Sequence, residues 1–476
     1  MSTSSTTCLG AHILVYPYLS SGHIIPLLDL TNCLLNRGLI ITVLVTANNL
    51  PLLDPLLSSH PSSQLQSLVL PHPENVPPSK NRLAANIRFL RQVHYPLLLN
   101  WFQSHSSPPV AIISDFFLGW TNEFASQVAV PRIIFSPSGA FAFSVSTYLW
   151  REQPQNDHPE DLNFSLSFPK VPNSPTYPWW QISHLYRMPK DADWEFFRNC
   201  NLANSESWGI IFNSFAELER VYLDHMKRKF QDDRVWAVGP VLPSDDDFKG
   251  AANRGGSSSV PCHDVLTWLD SRKDQSVVYV CFGSRTALTC KQMDELAAAL
   301  EKSGVHFIWC VRQPVDQGQT AGDYGVLPDG FEDCVADRGF IIKGWAPQVA
   351  ILRHHAVGAF LTHCGWNSVL EGIAAGVVML TWPMGADQFT NAQLLVDQLH
   401  VGIRFGEGTL NVPESAELAR ILAQSVAETL PERLKAQKLQ EEALGATKGG
   451  SSSTDLDGLV RRLNKLKLKR DGGAIN

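Results

Sequence analysis

Residues 356–376 read AVGAFLTHCGWNSVLEGIAAG, and this stretch predicts the fold of the half of the chain that contains it. An apolar run over residues 357–361 indicates a buried β-strand, and a short turn at residues 364–365 follows it. Asn367 then begins a segment with helical spacing of apolar residues, which ends near Gly376. A strand, a tight turn and a helix in this order are typical of an anion site, because the first N–H groups of the helix lack partners and carry partial positive charge.

Several polar side chains in this stretch have the chemistry of a phosphate site. His363, Asn367 and Ser368 can donate hydrogen bonds to phosphate oxygens, and Gly365 lets the backbone approach an anion closely. Glu371 lies one helical turn beyond Asn367 and can accept both hydroxyls of a ribose, as acidic residues do in dinucleotide-binding folds. Together these groups predict that a nucleotide sugar binds here.

The longer segment 345–388 reads WAPQVAILRHHAVGAFLTHCGWNSVLEGIAAGVVMLTWPMGADQ. It resembles the signature box of the plant family-one, UDP-sugar-dependent glycosyltransferases of small molecules. The resemblance covers the length of the box, the WAPQ at its start, the central HCGWNS, Glu371, and the closing pair Asp387 and Gln388. So many anchors at fixed spacings are far more specific than a single glycine motif.

The resemblance implies how a UDP-sugar donor is bound. Uracil stacks on the flat face of Trp345, Glu371 holds the ribose, and the hexose contacts Trp366, Asp387 and Gln388. The residues implied to bind the donor are Gly22, Ser138, Ser284, Trp345, Ala346, Gln348, His363, Gly365, Trp366, Asn367, Ser368, Glu371, Asp387 and Gln388. A glutamine at the end of the box accompanies UDP-glucose in this family, and UDP-xylose, UDP-rhamnose or another donor stays open.

The composition of the 476-residue chain is that of a globular protein with two or three domains. Its net charge of −7 argues against nucleic acid or an anionic membrane as a general partner. We expect no signal peptide, because the N-terminal residues lack a basic region followed by a clean apolar run, and no apolar run approaches about 18 residues. We therefore expect a cytoplasmic protein, and we also expect a monomer. The nine cysteines form no CxxC pair and no metal-ligand spacing, which indicates reduced, mostly buried thiols.

Apolar runs alternate with helical patterns through both halves of the chain, which predicts parallel sheets covered by helices on both faces. The predicted fold class is α/β, with two Rossmann-like domains that face a central cleft in a GT-B type arrangement. We expect an acceptor-binding domain at 1–241, a glycine- and serine-rich linker at 242–261, and a donor-binding domain at 262–455. A C-terminal helix and tail at 456–476 are expected to pack back on the first domain.

Two residues of the first half are candidates for catalysis. His23 follows the first strand and lies near the start of a helix, where a neutral imidazole can accept the proton of a phenol or alcohol. Asp115 ends the apolar strand 110–114, and its carboxylate can accept from the ring N–H of His23 and fix the tautomer. Either residue could instead be structural, Asp115 as the N-cap of a helix near Gly119. The resemblance implies that they form a catalytic dyad.

The resemblance also implies an inverting reaction. His23 deprotonates the acceptor hydroxyl, which attacks the anomeric carbon of an α-linked sugar from the face opposite UDP and gives a β-glycoside. The phosphate-binding groups named above stabilise the leaving diphosphate, and no metal or other cofactor is expected. Asp-x-Asp triplets at 191–193, 245–247 and 455–457 resemble the metal-binding pairs of other glycosyltransferases, but none of them follows an apolar strand.

Aromatic side chains in two segments suggest a flat, apolar acceptor such as a flavonoid or a hydroxybenzoate. They are Phe141, Phe143, Tyr148, Trp150, Trp179, Trp180, Tyr186, Trp194, Phe196 and Phe197, and an ordinary core could use the same residues. The sequence thus predicts O-glucosylation of a plant phenolic from UDP-glucose. An inactive nucleotide-sugar or hormone-binding protein is the alternative, and a nicotinamide oxidoreductase is disfavoured because no G-x-G-x-x-G follows a strand.

Overall fold

The protein, seen here as a computed structural model, is described over residues 10–72, 76–158, 160–230, 232–243, 248–312, 324–470 and 472. The strands of the first half are β1 (His12–Tyr16), β2 (Ile40–Val45), β3 (Leu65–Val69), β4 (Ala111–Asp115), β5 (Arg132–Ser136), β6 (Ser165–Ser167), β7 (Thr176–Pro178), β8 (Gly209–Phe212) and β9 (Val235–Ala237). Those of the second half are β10 (Val277–Cys281), β11 (His306–Val311), β12 (Gly339–Lys343), β13 (Val357–Thr362), β14 (Val378–Thr381) and β15 (Gly402–Arg404).

Helices surround these strands in both halves. In chain order they are α1 (Ser21–Leu35), α2 (Leu50–Ser59), α3 (Arg82–Ser104), α4 (Thr121–Gln127), α5 (Ala140–Glu152), α6 (His184–Arg187), α7 (Ala192–Asn204), α8 (Ala216–Phe230) and α9 (Phe248–Asn253). They continue as α10 (Cys262–Asp270), α11 (Cys290–Ser303), α12 (Phe331–Cys334), α13 (Gln348–Leu352), α14 (Trp366–Ala375), α15 (Gln388–Gln393), α16 (Ser415–Ser425), α17 (Pro431–Thr447) and α18 (Ser451–Arg470).

Two parallel sheets form the core of the molecule. The first has the strand order β3-β2-β1-β4-β5-β8-β9 and the second the order β12-β11-β10-β13-β14-β15, while β6 and β7 pair antiparallel. Both faces of these sheets are buried, so side chains on both faces are apolar. In strand β1, Ile13 and Val15 pack in the core cluster on one face, and Leu14 and Tyr16 pack in the cluster on the other face. The predicted α/β class with two parallel sheets is confirmed.

The strand order places the candidate site. In each sheet the order reverses between two neighbouring strands, β1 and β4 in the first and β10 and β13 in the second. Ligands of such sheets bind beyond the carboxyl ends of the strands at these reversal points. His23 follows β1, Asp115 ends β4, Ser284 follows β10 and His363 follows β13. All four candidate residues therefore lie at a reversal point.

Helices lie within the predicted linker and across the predicted boundary after residue 455. Residues 242–261, predicted as a linker, contain helix α9, whose Ala251 and Ala252 are buried, and residues 244–247 lie outside the described part. The boundary predicted between residues 455 and 456 falls inside α18, which begins at Ser451. Helix α18 packs against β9, and Leu459 belongs to the same core cluster as residues of β1. A boundary between domains is hard to see in sequence when a helix of one half packs on the other.

No helix among the described residues is both long and apolar enough to cross a bilayer.

Candidate active site

Two adjoining cavities open between the halves at the carboxyl ends of the strands. The first, about 230 Å³, contains charged and hydrogen-bonding side chains such as His363 and Glu371, and we call it the polar cavity. The second, about 180 Å³, is lined by rings such as Phe116 and Phe143, and we call it the apolar cavity. His23, Ser138 and Asp387 line both cavities, so these three side chains mark the place where the two meet.

His23 and Asp115 form a hydrogen-bonded pair at this meeting point. His23 Nδ1 lies 2.8 Å from Asp115 Oδ2, and the Asp115 side chain is fully buried. An ionised carboxylate only accepts, so Nδ1 carries the proton and Nε2 is left with a free lone pair. The imidazole packs against Phe117 with ring centroids 4.6 Å apart. Asp115 also accepts from the backbone N–H of Phe117 at 2.9 Å, so it caps the short 3-10 turn at 116–118 and pairs with His23 at the same time.

The turn before α14 has a strained backbone and a tightly packed histidine. Cys364 adopts a left-handed conformation with φ of 63°, and Gly365 is the N-cap of α14. A Cβ on Gly283 or on Gly365 would lie within 2.6 Å of the His363 ring, so only glycine fits at both positions. Desolvation lowers the pKa of His363 to about 4, and its Nδ1 has no hydrogen-bond partner among the described residues. The neutral imidazole of His363 therefore packs beside Gly365 at the helix N-terminus.

Glu371 is held by two side chains from other elements. Its carboxylate accepts from Gln348 Nε2 and from Arg254 Nη1. The Arg254 Nε donates at 2.9 Å to Asp29 on α1, so one guanidinium joins both halves of the molecule. Burial raises the pKa of Asp29, and the charge of Arg254 opposes that shift. Arg254 was not foreseen from the sequence, because it lies in a glycine- and serine-rich stretch that has no helical or strand pattern.

Trp345 forms one wall of the polar cavity. The guanidinium of Arg312 lies 4.8 Å from the centre of its ring, and the indole N–H donates at 3.3 Å to the carbonyl of Arg254. Its backbone N–H donates at 2.7 Å to Ser259 Oγ. These contacts fix the orientation of the ring and leave a flat aromatic surface in the cavity wall.

The residues that were predicted to contact the hexose are Trp366, Asp387 and Gln388. Asp387 accepts from Ser138 Oγ at 2.7 Å, and desolvation raises the pKa of Asp387 although this bond opposes the shift. Trp366 lines the polar cavity and donates its indole N–H at 2.7 Å to the Asn213 carbonyl. Gln388 follows Asp387 as the first residue of α15. Its Oε1 accepts from the backbone N–H groups of residues 384 and 385, so it shapes the loop before α15.

Comparison with known proteins identifies the family. The model of the UDP-glucuronosyl and UDP-glucosyl transferases matches residues 239–416. A flavonol 3-O-glucosyltransferase of Arabidopsis thaliana is 50% identical in an alignment of 477 positions that covers 96% of this chain and 97% of that protein. The chain belongs to the UDP-glycosyltransferases. It is therefore an enzyme that transfers a sugar from a UDP-sugar to a small molecule.

Two further relatives support this identification of the glycosyltransferase. UDP-glycosyltransferase 89B2 of Stevia rebaudiana is 50% identical and covers 96% of this chain and 98% of that protein. The crystal structure of an Arabidopsis thaliana UDP-glycosyltransferase with UDP-L-rhamnose is 39% identical, with a TM-score of 0.78, and covers 96% of this chain and 99% of that chain. The predicted family and the GT-B type fold are confirmed.

The polar cavity of the glycosyltransferase is lined by most of the residues that were predicted to bind the UDP-sugar donor. They are Gly22, Ser138, Ser284, Trp345, Ala346, Gln348, His363, Gly365, Trp366, Asn367, Ser368, Glu371 and Asp387. Asn367 has a further contact that the sequence did not predict, since its Nδ2 donates at 3.0 Å to the carbonyl of Gly22 in the first half. Arg254 and Arg312 line the same cavity and were missed.

The predicted aromatic residues have different positions in the glycosyltransferase. Phe143, Trp150 and Phe197 line the apolar cavity, whereas Phe141 stacks on Tyr222 and does not line it. Further rings of the cavity come from other elements and were not predicted as a group: Phe116, Phe117, Phe168, Tyr177 and Phe389. Tertiary packing assembles this surface from separate segments of both halves.

In the described part of the glycosyltransferase, aspartates of the Asp-x-Asp triplets form a helix cap and ion pairs. Asp191 caps α7, Asp193 pairs with Arg88 at 2.7 Å, and Asp457 pairs with Arg37 at 2.7 Å. The triplet 245–247 lies outside the described residues.

Within the described ranges, one surface cluster has the donor set of a metal site. The ligand atoms of Asp270, His354 and His355 lie within 4.8 Å of one another, and none of these residues lines either cavity.

Proposed function

We propose that the protein transfers glucose from UDP-glucose to a hydroxyl of a flavonol or a related phenolic and gives a β-O-glucoside. The observation that carries this proposal is the position of His23, which is paired to the buried Asp115 and lines both cavities. A base at this position can reach an acceptor hydroxyl in one cavity and the anomeric carbon of a donor in the other.

His23 is the general base in this proposal. Its Nε2 lone pair accepts the proton of the phenolic hydroxyl as the oxygen attacks the anomeric carbon. Asp115 stabilises the imidazolium that forms and keeps the ring in the required tautomer. The attacking oxygen approaches from the apolar cavity and UDP departs into the polar cavity, so the two groups lie on opposite faces of the sugar. That arrangement supports inversion of an α-linked donor into a β-glycoside.

The leaving diphosphate is stabilised by protein groups in this proposal. The N-terminus of α14 presents unpaired backbone N–H groups, and Ser284 and Ser368 supply hydroxyl donors in the same cavity. The neutral His363 can donate from a ring nitrogen. These donors are positioned before the reaction, so they can offset the developing charge without a divalent cation.

Glucose is the favoured sugar because the 50% identical Arabidopsis relative is named as a glucosyltransferase. Asp387, aligned by Ser138, offers a carboxylate for sugar hydroxyls beside His23. A second donor, UDP-L-rhamnose, has a specific observation in its favour, since the 39% identical structure contains it.

A flavonol suits the apolar cavity by shape and chemistry. Rings from α5, α7 and α15 surround it, and Ser146, Gln181 and Asn201 provide polar groups for a few hydroxyls. Flat aromatic ligands gain from burial against such rings, and the polar side chains orient them. The flavonol specificity in the name of the Arabidopsis relative supports the same choice.

A donor-by-acceptor screen tests the proposal. The purified protein is incubated with UDP-glucose, UDP-L-rhamnose or UDP-xylose and with flavonols or hydroxybenzoates, in the presence of EDTA, and products are identified by mass and NMR. We expect a hexoside of the flavonol with a β-anomeric signal and undiminished turnover in EDTA. If the main product is a rhamnoside, UDP-L-rhamnose is the donor and glucose is excluded. An α-glucoside would rule out inversion. Dependence of turnover on added metal would rule out the cation-free mechanism.

A further inference from the structure

Two cysteines lie side by side in the wall of the polar cavity. Cys281 ends β10, Cys310 lies in β11, and the two residues are direct partners in the parallel register. Both line the polar cavity, with 6% and 3% of their surfaces exposed. Both residues belong to the same core cluster, so their side chains lie on the same face of the sheet. The two cysteines are separated in sequence, so no local motif indicates that they are neighbours in the fold.

The pair has the chemistry of a reactive dithiol. Hydrogen bonding from Cys310 lowers the pKa of Cys281, although burial opposes this shift. The thiolate is the nucleophilic form of cysteine, so Cys281 is the member that reacts first. By contrast, burial raises the pKa of Cys200 to about 12 and raises that of Cys364 as well.

Cys310 has a second bond that connects the pair to the donor site. Its Sγ donates at 3.2 Å to the carbonyl of Gly344, the residue before Trp345. The single S–H of Cys310 therefore has two acceptors, the Gly344 carbonyl and the sulfur of Cys281. A change in the state of the thiol pair alters the anchoring of the backbone that carries the Trp345 ring.

We propose that Cys281 and Cys310 form a redox-sensitive site at which a peroxide produces an intramolecular disulfide and weakens UDP-sugar binding. Adjacent strands lie about 4.8 Å apart, which is within the Cα separations of about 4.4 to 6.8 Å that disulfides span. The Cys281 thiolate attacks one peroxide oxygen and becomes a sulfenic acid, and the hydroxide released takes up a proton to become water. The Cys310 sulfur then displaces the sulfenic hydroxyl, which leaves as a second water.

The disulfide removes the donor that holds Gly344. Cys310 has no S–H in this state, so the carbonyl loses its bond and the Trp345 segment loses an anchor on the cavity side. The effect falls on the nucleotide part of the site, and the His23–Asp115 pair is left intact. A dithiol reductant returns both thiols and restores the anchor.

The test treats the full-length protein with hydrogen peroxide and uses UDP alone as the ligand. Non-reducing peptide mapping should find the Cys281 and Cys310 peptides linked, with the loss of two hydrogens in the intact mass. Calorimetry should show UDP affinity reduced about tenfold, the amount expected for one lost hydrogen bond, and restored by dithiothreitol. Bound UDP should slow the oxidation, because it covers the cavity through which peroxide enters.

The variants C281A and C310A should keep UDP affinity under peroxide, each compared with its own untreated sample. The matched control C334A removes an exposed thiol and should respond like the wild type. An unlinked pair in the peptide map of the oxidised wild type would overturn the proposal, and this readout does not depend on how well a variant folds. A loss of UDP affinity in the alanine variants equal to that of the wild type would overturn it too. No acceptor or sugar transfer is involved, so the outcome is independent of the proposed reaction.

Discussion

Ser138 Oγ donates a hydrogen bond to Asp387 Oδ2 over 2.7 Å, from the end of β5 in the first half to the start of α15 in the second. Both residues line both cavities, next to His23. In the proposed reaction, a sugar placed between the base and the nucleotide contacts side chains from both halves of the molecule. We therefore expect the hydrogen bond between Ser138 and Asp387 to help set the geometry of transfer.

Replacing Ser138 by alanine should weaken use of the donor. A hydrogen bond to a charged group is worth about 1.5 to 3 kcal/mol, so kcat/KM for the UDP-sugar should fall about tenfold or more. Steady-state kinetics with each substrate varied in turn measures the effect. The control S146A alters a hydroxyl that lines only the apolar cavity, and it should change KM for the acceptor instead. Equal effects of both variants on donor and acceptor would contradict the assigned contact.

The variants H23A and D115N should lose transfer while keeping UDP binding. General-base catalysis and its orienting carboxylate contribute about 10²- to 10⁴-fold in kcat, and both residues act in one step. The double variant should therefore be little slower than H23A alone. Single-turnover rates measure the loss, and calorimetry with UDP serves as the control. Near wild-type rates in H23A would remove this histidine from the base role.

The substitution R254Q should destabilise the protein and weaken UDP binding together. It leaves the carboxylates of Asp29 and Glu371 without their shared cation, and breaking a buried pair costs about 3 kcal/mol. Thermal denaturation with and without UDP measures both effects. The exposed Arg151 provides the control, since R151Q should change the melting temperature very little. Adding D29N to R254Q should recover part of the loss, and no recovery would argue against the paired arrangement.

His363 should make the folded protein less stable as the pH falls. Its folded pKa of about 4 lies below the ordinary value of 6.5, so between these values the unfolded chain takes up a proton that the folded chain does not. The contribution of His363 is complete above pH 6.5 and should fall by about 1 to 2 kcal/mol by pH 5. Melting temperatures of wild type and H363Q between pH 7.5 and 5 measure it. The variant should lose less stability over this range, and parallel curves would contradict the shift.

The donor half of the site could be predicted because most of its residues are contiguous in sequence. The strand, turn and helix around His363 bring phosphate donors and Glu371 together by local geometry alone, and these residues line the polar cavity as expected. The pairing of His23 with Asp115 was implied by the family resemblance, and the position of each residue at the carboxyl end of a recognisable strand made it possible. Parallel strands place such ends on one edge of the sheet.

Other parts of the site depend on contacts between segments far apart in the chain. Arg254 reaches Glu371 from a stretch without regular pattern, the Cys281–Cys310 pair arises from strand register, and Gln388 turns toward the backbone of its own loop. Tertiary packing decided which of the predicted aromatic residues line the apolar cavity, and no local sequence pattern indicates this.

The sequence by itself determined the α/β class, the family and the chemistry of the donor segment. These properties depend on the periodicity of apolar residues and on the spacing of residues within short segments. Only the tertiary structure decided which side chains from the two halves meet in the cleft. Those meetings, such as Ser138 with Asp387 and Arg254 with Asp29, depend on how the two sheets are oriented relative to each other. That orientation results from the summed packing of many buried side chains, and no single segment encodes it.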